Sequence, residues 1–88
     1  MHYRNGREAK NGDVIVQIET RYTDKGEVAA IAALGVLHGA VAGNDFCNGK
    51  IAPILGAVTG ACMCDCLHVD DLAALLKEKG LDKRPAGK

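Results

Sequence analysis

The chain has 88 residues, with 11 basic and 11 acidic side chains, and 48% of its residues are hydrophobic. This length allows one domain, which buries only about 60 to 65% of the surface that its unfolded chain exposes. The chain has only two Tyr and one Phe, so small aliphatic, Met and Cys side chains must form the core. Its balanced charge lacks the basic face that neutralises phosphates, and we therefore expect no nucleic-acid binding.

The N-terminal segment MHYRNGREAKNGD is polar and has no apolar stretch of the kind found in signal peptides. We therefore expect a cytoplasmic protein. In a reducing compartment the four cysteines are expected to be free thiols, metal ligands or core residues, and not a disulfide framework.

The first half of the chain predicts two strands joined by a tight turn. Alternating Val and Ile side chains predict a strand over residues 13–20. The segment DKG that follows indicates a chain reversal, because Gly26 tolerates positive φ. Residues 27–38 are apolar throughout: their alanines favour a helix, whereas their branched residues favour a strand. We predict a strand here, with the helix as the alternative.

Two further strands are predicted after the glycine-rich loop at residues 39–49. In the run IAPIL, Pro53 has no backbone N–H, which predicts an edge strand or a strand that ends there. The alternating segment ACMCDCLH, residues 61–68, predicts the last strand. One face of that strand would carry Ala61, Met63, Leu67 and Val69, and the other would carry Cys62, Cys64, Cys66 and His68.

The C-terminal segment changes to a helical period. Asp70 is a good N-cap and Gly80 suits a left-handed position after the last turn, which predicts a helix over residues 70–79. We expect the tail at residues 82–88 to be disordered. A stripe on the helix is expected to pack on the sheet; it consists of Leu72, Leu75 and Leu76.

These elements predict a mainly β protein with a single domain over residues 1–81. The predicted architecture is a small antiparallel SH3-like barrel or curled sheet of about five strands, with one C-terminal helix.

The segment YRNGREAKNGDVIV resembles the opening of small phage and prophage proteins that have an SH3-like β-barrel. Their pattern G-x-x-A-x-x-G-D-x-V stands here as Gly6, Ala9, Gly12, Asp13 and Ile15. The stretch GAVAGNDFCNGKIA is similar to a loop and strand of the same group, in which a Cys-Asn pair precedes an apolar strand. The alanine-rich run and the alternating cysteines depart from that pattern. The resemblance implies a small barrel and brings no catalytic residues with it.

The cysteines and one histidine form the candidate metal site of the sequence. Structural zinc sites normally use C-x₂₋₄-C knuckles, which this chain lacks. On a regular strand, residues two apart lie roughly 6.6 Å from each other, whereas two thiolates on one zinc lie about 3.8 Å apart. We therefore expect a buried cysteine face with no metal or other cofactor, and whether Cys47 lies opposite one of the later cysteines stays open. The alternative is a zinc domain that uses Cys47, Cys62, Cys64 and Cys66, with or without His68.

Redox and nucleophilic chemistry are not expected. Asp65 disfavours a neighbouring thiolate, because like charges repel. Cys66, His68 and Asp70 have the residue types of a nucleophilic triad, but the simpler interpretation is that His68 closes a strand and Asp70 caps a helix. We therefore predict a protein without enzymatic activity.

Gly35, Gly39 and Gly43 recur at every fourth position in the uncharged run 28–44. In lipid this spacing would form a helix-packing face, so a membrane-associated glycine-zipper helix is a second alternative. The run lies at the lower end of the spanning length of about 17 to 25 residues, and His38 interrupts it. We expect no membrane association and interpret Gly39 and Gly43 as loop glycines.

The function predicted first is therefore a non-enzymatic binding module of phage or prophage type. Its expected partner is another protein, and the chain itself is expected to be a monomer or a weak homodimer.

Overall fold

The structure is a computed structural model that describes residues 1–41, 47–56 and 60–86. It is mainly β: five antiparallel strands form a curled half-barrel sheet, followed by one C-terminal helix. The fold class predicted from the sequence is therefore confirmed in its curled-sheet form. The elements are β1 (Val14–Thr23), β2 (Gly26–His38), β3 (Asn48–Leu55), β4 (Gly60–Cys62), a 3₁₀ turn (Met63–Asp65), β5 (Cys66–His68) and α1 (Val69–Glu78). Across the sheet the strands stand in the order β4-β3-β2-β1-β5.

Strands β1 and β2 form the hairpin that the sequence predicted. They pair antiparallel and turn through Asp24 and Lys25, and Gly26 has the positive φ of 109° that this position was expected to need. The strand interpretation of residues 27–38 is therefore confirmed and the helix alternative is wrong. Pairing along both neighbouring strands outweighs the weak helix preference of the alanines.

A β-bulge divides this hairpin into two parts. The register shifts between Gln17 and Ile18, where Ala32 of β2 is the extra residue. Before the bulge the hairpin is part of the five-stranded sheet, whereas every residue in the range 20–29 is exposed. We call residues 18–31 the arm.

The core occupies one face of the sheet, in the part that lies on the opposite side of the bulge from the β1–β2 turn. On β2 the buried residues are Ala33, Gly35 and Leu37, at the period of two expected for a strand. A Cβ atom on Gly35 would lie 2.2 Å from the carbonyl oxygen of Ala52, so only glycine allows β3 to approach β2 this closely. Among the described residues the buried cluster contains one aromatic residue; its members are Tyr3, Ile15, Leu37, Ile51, Ala61, Met63 and Cys66.

The residues that carry the phage-barrel resemblance have structural roles. Gly6 and Gly12 have φ values of 91° and 97°, which favour glycine. Ala9 packs against the core, and Ile15 is completely buried. Asp13 accepts a hydrogen bond from the Lys10 backbone, which closes the turn before β1.

Strand β3 continues through Pro53, so the alternative that it ends there is wrong. Pro53 pairs with Gly35 of β2, while β4 pairs only with the first three residues of β3. Within the described residues Pro53 therefore lies where β3 is an outer strand, as predicted, and its missing N–H costs no ladder bond. Most of the loop predicted before β3 falls at residues 42–46, which lie outside the described residues.

The glycine series does not form a helix where it is described. Gly35 lies in β2 and Gly39 follows it with φ 62°, while Gly43 lies outside the described residues. The helical alternative is wrong for residues 28–38, because they form a strand. In the part of the chain that the structure describes, no helix combines the length and apolar character needed to cross a membrane.

The last strand predicted over residues 61–68 is wrong. A 3₁₀ turn at Met63–Asp65 separates β4 from β5. Met63 and Cys66 are both completely buried, and the three residues per turn of a 3₁₀ helix place them on the same side. In a regular strand Met63 and Cys66 would point to opposite faces, which is the arrangement that the sequence predicted.

The C-terminal helix is confirmed within one residue at each end, but Asp70 is not its cap. His68 is the N-cap, because its Nδ1 accepts a hydrogen bond from the backbone N–H of Asp70 at 3.0 Å. Asp71 in the first turn binds the N-terminal segment: it accepts hydrogen bonds from Asn5 Nδ2 at 2.9 Å and Arg7 Nη1 at 3.0 Å.

The helix ends as predicted, with Gly80 at φ 71°. The backbone N–H of Leu81 donates to the Leu76 carbonyl and that of Gly80 donates to the Lys77 carbonyl, which is the Schellman pattern. Residues 82–86 are exposed and have no helix or strand, and disorder of the tail stays a prediction.

The expected packing of the leucine stripe on the sheet is largely wrong. The helix contacts β1 and β5, but none of its residues is fully buried. Leu72 is half-buried, whereas Leu75 and Leu76 are 45% and 38% exposed. Two strands at one edge of a short sheet leave little surface for the helix to cover.

The N-terminal segment is joined to β1 by one short hydrogen bond. The buried Tyr3 hydroxyl donates to Asp13 Oδ2 at 2.6 Å, and the Tyr3 ring meets the His68 ring edge-on with 6.3 Å between centroids. Burial disfavours ionisation of Asp13, but the bonds from Tyr3 and the Lys10 backbone and the attraction of His68 and Arg7 outweigh it. The pKa of Asp13 is therefore held below its usual value.

We predict that Tyr3→Phe lowers the free energy of unfolding by about 1.5 to 3 kcal/mol at pH 7, the value of a hydrogen bond to a charged group. Because folding lowers the pKa of Asp13, this stabilisation is present above the unfolded pKa of about 4 and is lost as the pH falls through the folded pKa. Urea unfolding at several pH values measures the difference. Tyr22→Phe is the control, since Tyr22 is 78% exposed. A penalty for Tyr3→Phe that does not change with pH would contradict this account.

Candidate thiol cluster

Three cysteines converge at the end of the sheet where β3 begins and β4 ends. Cys47 lies immediately before β3, Cys62 is the last residue of β4, and Cys64 lies in the 3₁₀ turn. The β3–β4 register places Asn48 opposite Cys62, and the Met63 backbone N–H donates to the Cys47 carbonyl at 2.7 Å. Backbone pairing therefore fixes the relative positions of the three residues.

The three sulfur atoms all lie within 4.8 Å of one another. Cys47 Sγ is 2.7 Å from Cys62 Sγ and 3.5 Å from Cys64 Sγ. Cys47 and Cys62 are half-buried and Cys64 is exposed. The Cys47 sulfur thus contacts those of Cys62 and Cys64, which answers the question that the sequence left open, although the register places Asn48 opposite Cys62. We call these three residues the thiol cluster.

Cys47 and Cys62 share one proton. The Cys62 thiol and then the Cys64 thiol donate toward Cys47, and backbone N–H groups of the turn add to them, so the pKa of Cys47 is lowered. The same contact raises the pKa of Cys62 to about 11, because its proton is held by Cys47. The two thiols therefore titrate as a pair, and the second proton is the harder one to remove.

Cys66 and His68, the other two residues of the predicted metal site, do not belong to the cluster. The completely buried Cys66 thiol donates to the Cys62 carbonyl oxygen at 3.5 Å, and burial together with Asp65 raises its pKa to about 12. His68 Nδ1 caps the helix, and its Nε2 lies 3.7 Å from Asp13 Oδ1. The structure therefore brings together three of the five predicted residues.

Cys66, His68 and Asp70 do not form a nucleophilic triad. The Cys66 thiol points to a backbone carbonyl, and His68 Nδ1 is occupied by a backbone N–H. The Asp70 carboxylate lies 3.7 Å from that nitrogen, which is too long for a hydrogen bond. These residues have structural roles. His68 closes β5, as the simpler interpretation of the sequence predicted.

The thiol cluster has the ligand types and nearly the spacing of a soft-metal site. Thiolates select Zn²⁺ and Cu⁺ over hard cations such as Mg²⁺ and Ca²⁺. Two sulfurs on one zinc lie about 3.8 Å apart, so the 3.5 Å contact of Cys47 with Cys64 fits and the 2.7 Å contact with Cys62 must open by about 1 Å. No fourth protein ligand joins the cluster within the described residues.

The alternating pattern of residues 61–68 predicted a single strand, in which the cysteines would lie too far apart to form this cluster. Two signals opposed that interpretation. Asp65 is a residue type depleted in strands, and Met63 and Cys66 are apolar positions three residues apart, the repeat of a 3₁₀ turn.

No protein-family model matches the chain, and searches of curated proteins and solved structures found no significant match. Functional inference therefore starts from the geometry of the chain itself.

We predict that the thiols of the folded protein differ sharply in reactivity. Iodoacetamide at pH 8 should modify the exposed Cys64 and leave Cys66 unmodified, because Cys66 is buried and its pKa is raised to about 12. Peptide mass spectrometry after timed quenching measures each rate, and unfolding in urea should make all four cysteines react alike. Modification of Cys66 as fast as Cys64 in the folded protein would contradict the buried position of Cys66.

Proposed function

We propose that this protein binds one thiophilic metal ion, Zn²⁺ or Cu⁺, through Cys47, Cys62 and Cys64. The observation that carries the proposal is the convergence of three Sγ atoms within 4.8 Å, one from the residue before β3 and two from the end of β4 and the 3₁₀ turn that follows it. Three soft ligands on a paired backbone are what a thiolate site requires.

The backbone around the cluster favours a bound ion. The backbone N–H of Cys64 favours the thiolate forms of both Cys47 and Cys62. Met63 is completely buried beneath the turn, so the turn is held in place by core packing and not by the metal alone. A prearranged site loses less ordering entropy when it binds its ligand.

Metal binding here must displace protons. The pKa of Cys47 is lowered, whereas that of Cys62 is raised to about 11. The metal therefore competes with the shared proton, and its apparent affinity should rise with pH.

The test is metal binding by the fully reduced full-length chain. We expect one equivalent of Zn²⁺ by elemental analysis, tighter binding at pH 8 than at pH 6, and sulfur-to-metal charge-transfer absorption when Co²⁺ replaces it. Serine at position 47, 62 or 64 should weaken binding at least about tenfold, since even outer partners of metal ligands are worth 10- to 100-fold.

Cys66→Ala is the matched control, because the Cys66 thiol donates to the Cys62 carbonyl oxygen and is not one of the three converging sulfurs. It should keep one equivalent of metal and the same Co²⁺ spectrum. The proposal fails if the reduced wild-type chain binds no Zn²⁺ or Cu⁺. It also fails if Cys66→Ala, shown by circular dichroism to be folded, loses the metal as the cluster variants do.

The 2.7 Å contact favours a second candidate, a reversible disulfide between Cys47 and Cys62. With oxidised glutathione as the oxidant, both cysteines lose their protons and form the Sγ–Sγ bond. The glutathione disulfide takes up two electrons and two protons and leaves as two reduced thiols.

We expect peptide mass spectrometry to find the Cys47–Cys62 bond after incubation with oxidised glutathione, and Cys66 to remain a thiol. Prior loading with Zn²⁺ should block this oxidation, since it occupies the same sulfurs. Stable mixed disulfides with glutathione, without the Cys47–Cys62 bond, would exclude this candidate.

We also propose, from the sequence, that the domain is a non-enzymatic binding module of the phage-barrel type, with a protein as its partner. Exposed apolar side chains on the arm support this role, among them Tyr22, Val28 and Ile31.

A further inference from the structure

The arm has an open strand edge. Along β1, strand β5 pairs only with Ile15, Val16 and Gln17, so within the described residues the outer edge of β1 has no partner from Ile18 to Thr23. These six residues span about 17 Å of strand. Their outward backbone N–H and C=O groups form a template for another strand.

This edge has few of the devices that normally prevent strand addition. It contains no proline and no lysine, and Tyr22 at its outer end is 78% exposed. The side chains alternate: Ile18, Thr20 and Tyr22 lie on one face of the arm, and Glu19 and Arg21 lie on the other.

The edge is complementary to itself. If two copies pair antiparallel about a two-fold axis at Thr20, each Ile18 lies opposite Tyr22 of the other copy. On the other face each Glu19 lies opposite Arg21. Within one chain Glu19 Oε1 is already 2.6 Å from Arg21 Nε, so pairing creates a square of four alternating charges.

Other registers and the other edge lack this match. Moving the axis by one residue places like charges opposite each other: Glu19 opposite Glu19 with the axis at Glu19, or Arg21 opposite Arg21 with the axis at Arg21. The β2 edge of the arm has a single charge, Glu27, and no basic residue to meet it. Charge complementarity therefore selects both the β1 edge and its register.

We propose that two copies of this chain dimerise by antiparallel pairing of residues 18–22 of β1, centred on Thr20. The ladder between the two copies stops at Ile18, because β5 already pairs with the same edge of β1 at residues 15–17. The two sheets then continue through the paired β1 strands, with the thiol clusters at distant ends. This dimer is independent of the proposed metal site.

The test is sedimentation velocity on the full chain with reductant and chelator, which removes association through cysteines or metal. We expect a concentration-dependent dimer. Glu19→Arg and Arg21→Glu should each weaken it at least about tenfold, because two opposite-charge contacts become like-charge contacts and each cross-strand pair is worth about 0.2 to 1 kcal/mol. The double variant carrying both changes should restore the wild-type affinity within about threefold.

Mixing the two single variants gives the sharpest result. Glu19→Arg presents two basic residues and Arg21→Glu presents two acidic ones, so together they should form a heterodimer although neither dimerises well alone. Glu27→Arg is the control, because it makes the same charge change on the opposite edge and should leave the dimer unchanged.

Concentration-dependent amide hydrogen exchange provides a readout without substitutions. Exchange at residues 18–22 should slow as the wild-type chain is concentrated, while residues 27–31 should not respond. A chain that stays monomeric at millimolar concentration overturns the proposal. It is also overturned by a dimer that resists both single changes, which would point to another surface such as the exposed leucines of α1, or by a folded double variant that fails to dimerise.

Discussion

The burial of Met63 and Cys66 on the same side of the chain is the constraint on which the candidate site depends. Two buried residues three positions apart require a 3₁₀ turn, and that turn replaces the strand that an alternating pattern would otherwise form. The turn leads Cys64 back toward Cys62 and directs backbone N–H groups at Cys47. Core packing thus brings the sulfurs together before any metal is present.

Close packing around the same constraint explains two glycines. A Cβ atom on Gly49 would lie 2.6 Å from Leu37 Cδ1 and 3.3 Å from Met63 Cε, so glycine leaves the space that Met63 fills. Gly35 likewise lets β3 approach β2. The buried cluster of the described residues has one aromatic residue, Tyr3, so close backbone approach replaces the volume that large side chains would provide. The glycines of this chain are therefore packing residues as well as turn residues.

Local chemistry was sufficient to predict most of the fold. The β1–β2 hairpin, the strand at residues 27–38 and the helix with Gly80 at its end all follow from alternation, turn residues and caps. The prediction was wrong where tertiary burial decided the outcome. Whether residues 61–68 form one strand depends on which of their side chains reach the core, and alternation alone cannot distinguish a strand from two short strands around a turn.

The same limit applied to the site. Two of its cysteines, Cys62 and Cys64, stand two residues apart in the sequence, but the third comes from the loop before β3, and the β3–β4 register brings it to them. Sequence spacing therefore identified the residue types and not their geometry. His68 is close to the cysteines in the sequence but does not join the cluster. Its ring is held by the start of the helix and by the N-terminal segment.

The long central strand β2 separates the two proposed binding surfaces. Thr20, at the centre of the open edge, pairs with Ala29, whereas the thiol cluster lies beyond His38 at the other end of the strand. Nine residues of strand between these points correspond to about 30 Å. At that distance a metal ion has no direct electrostatic effect on the arm, since exposed charges are screened within about 10 Å. The bulge after Gln17 further uncouples the arm from the core sheet, so one chain can bind an ion at one end and a second copy at the other.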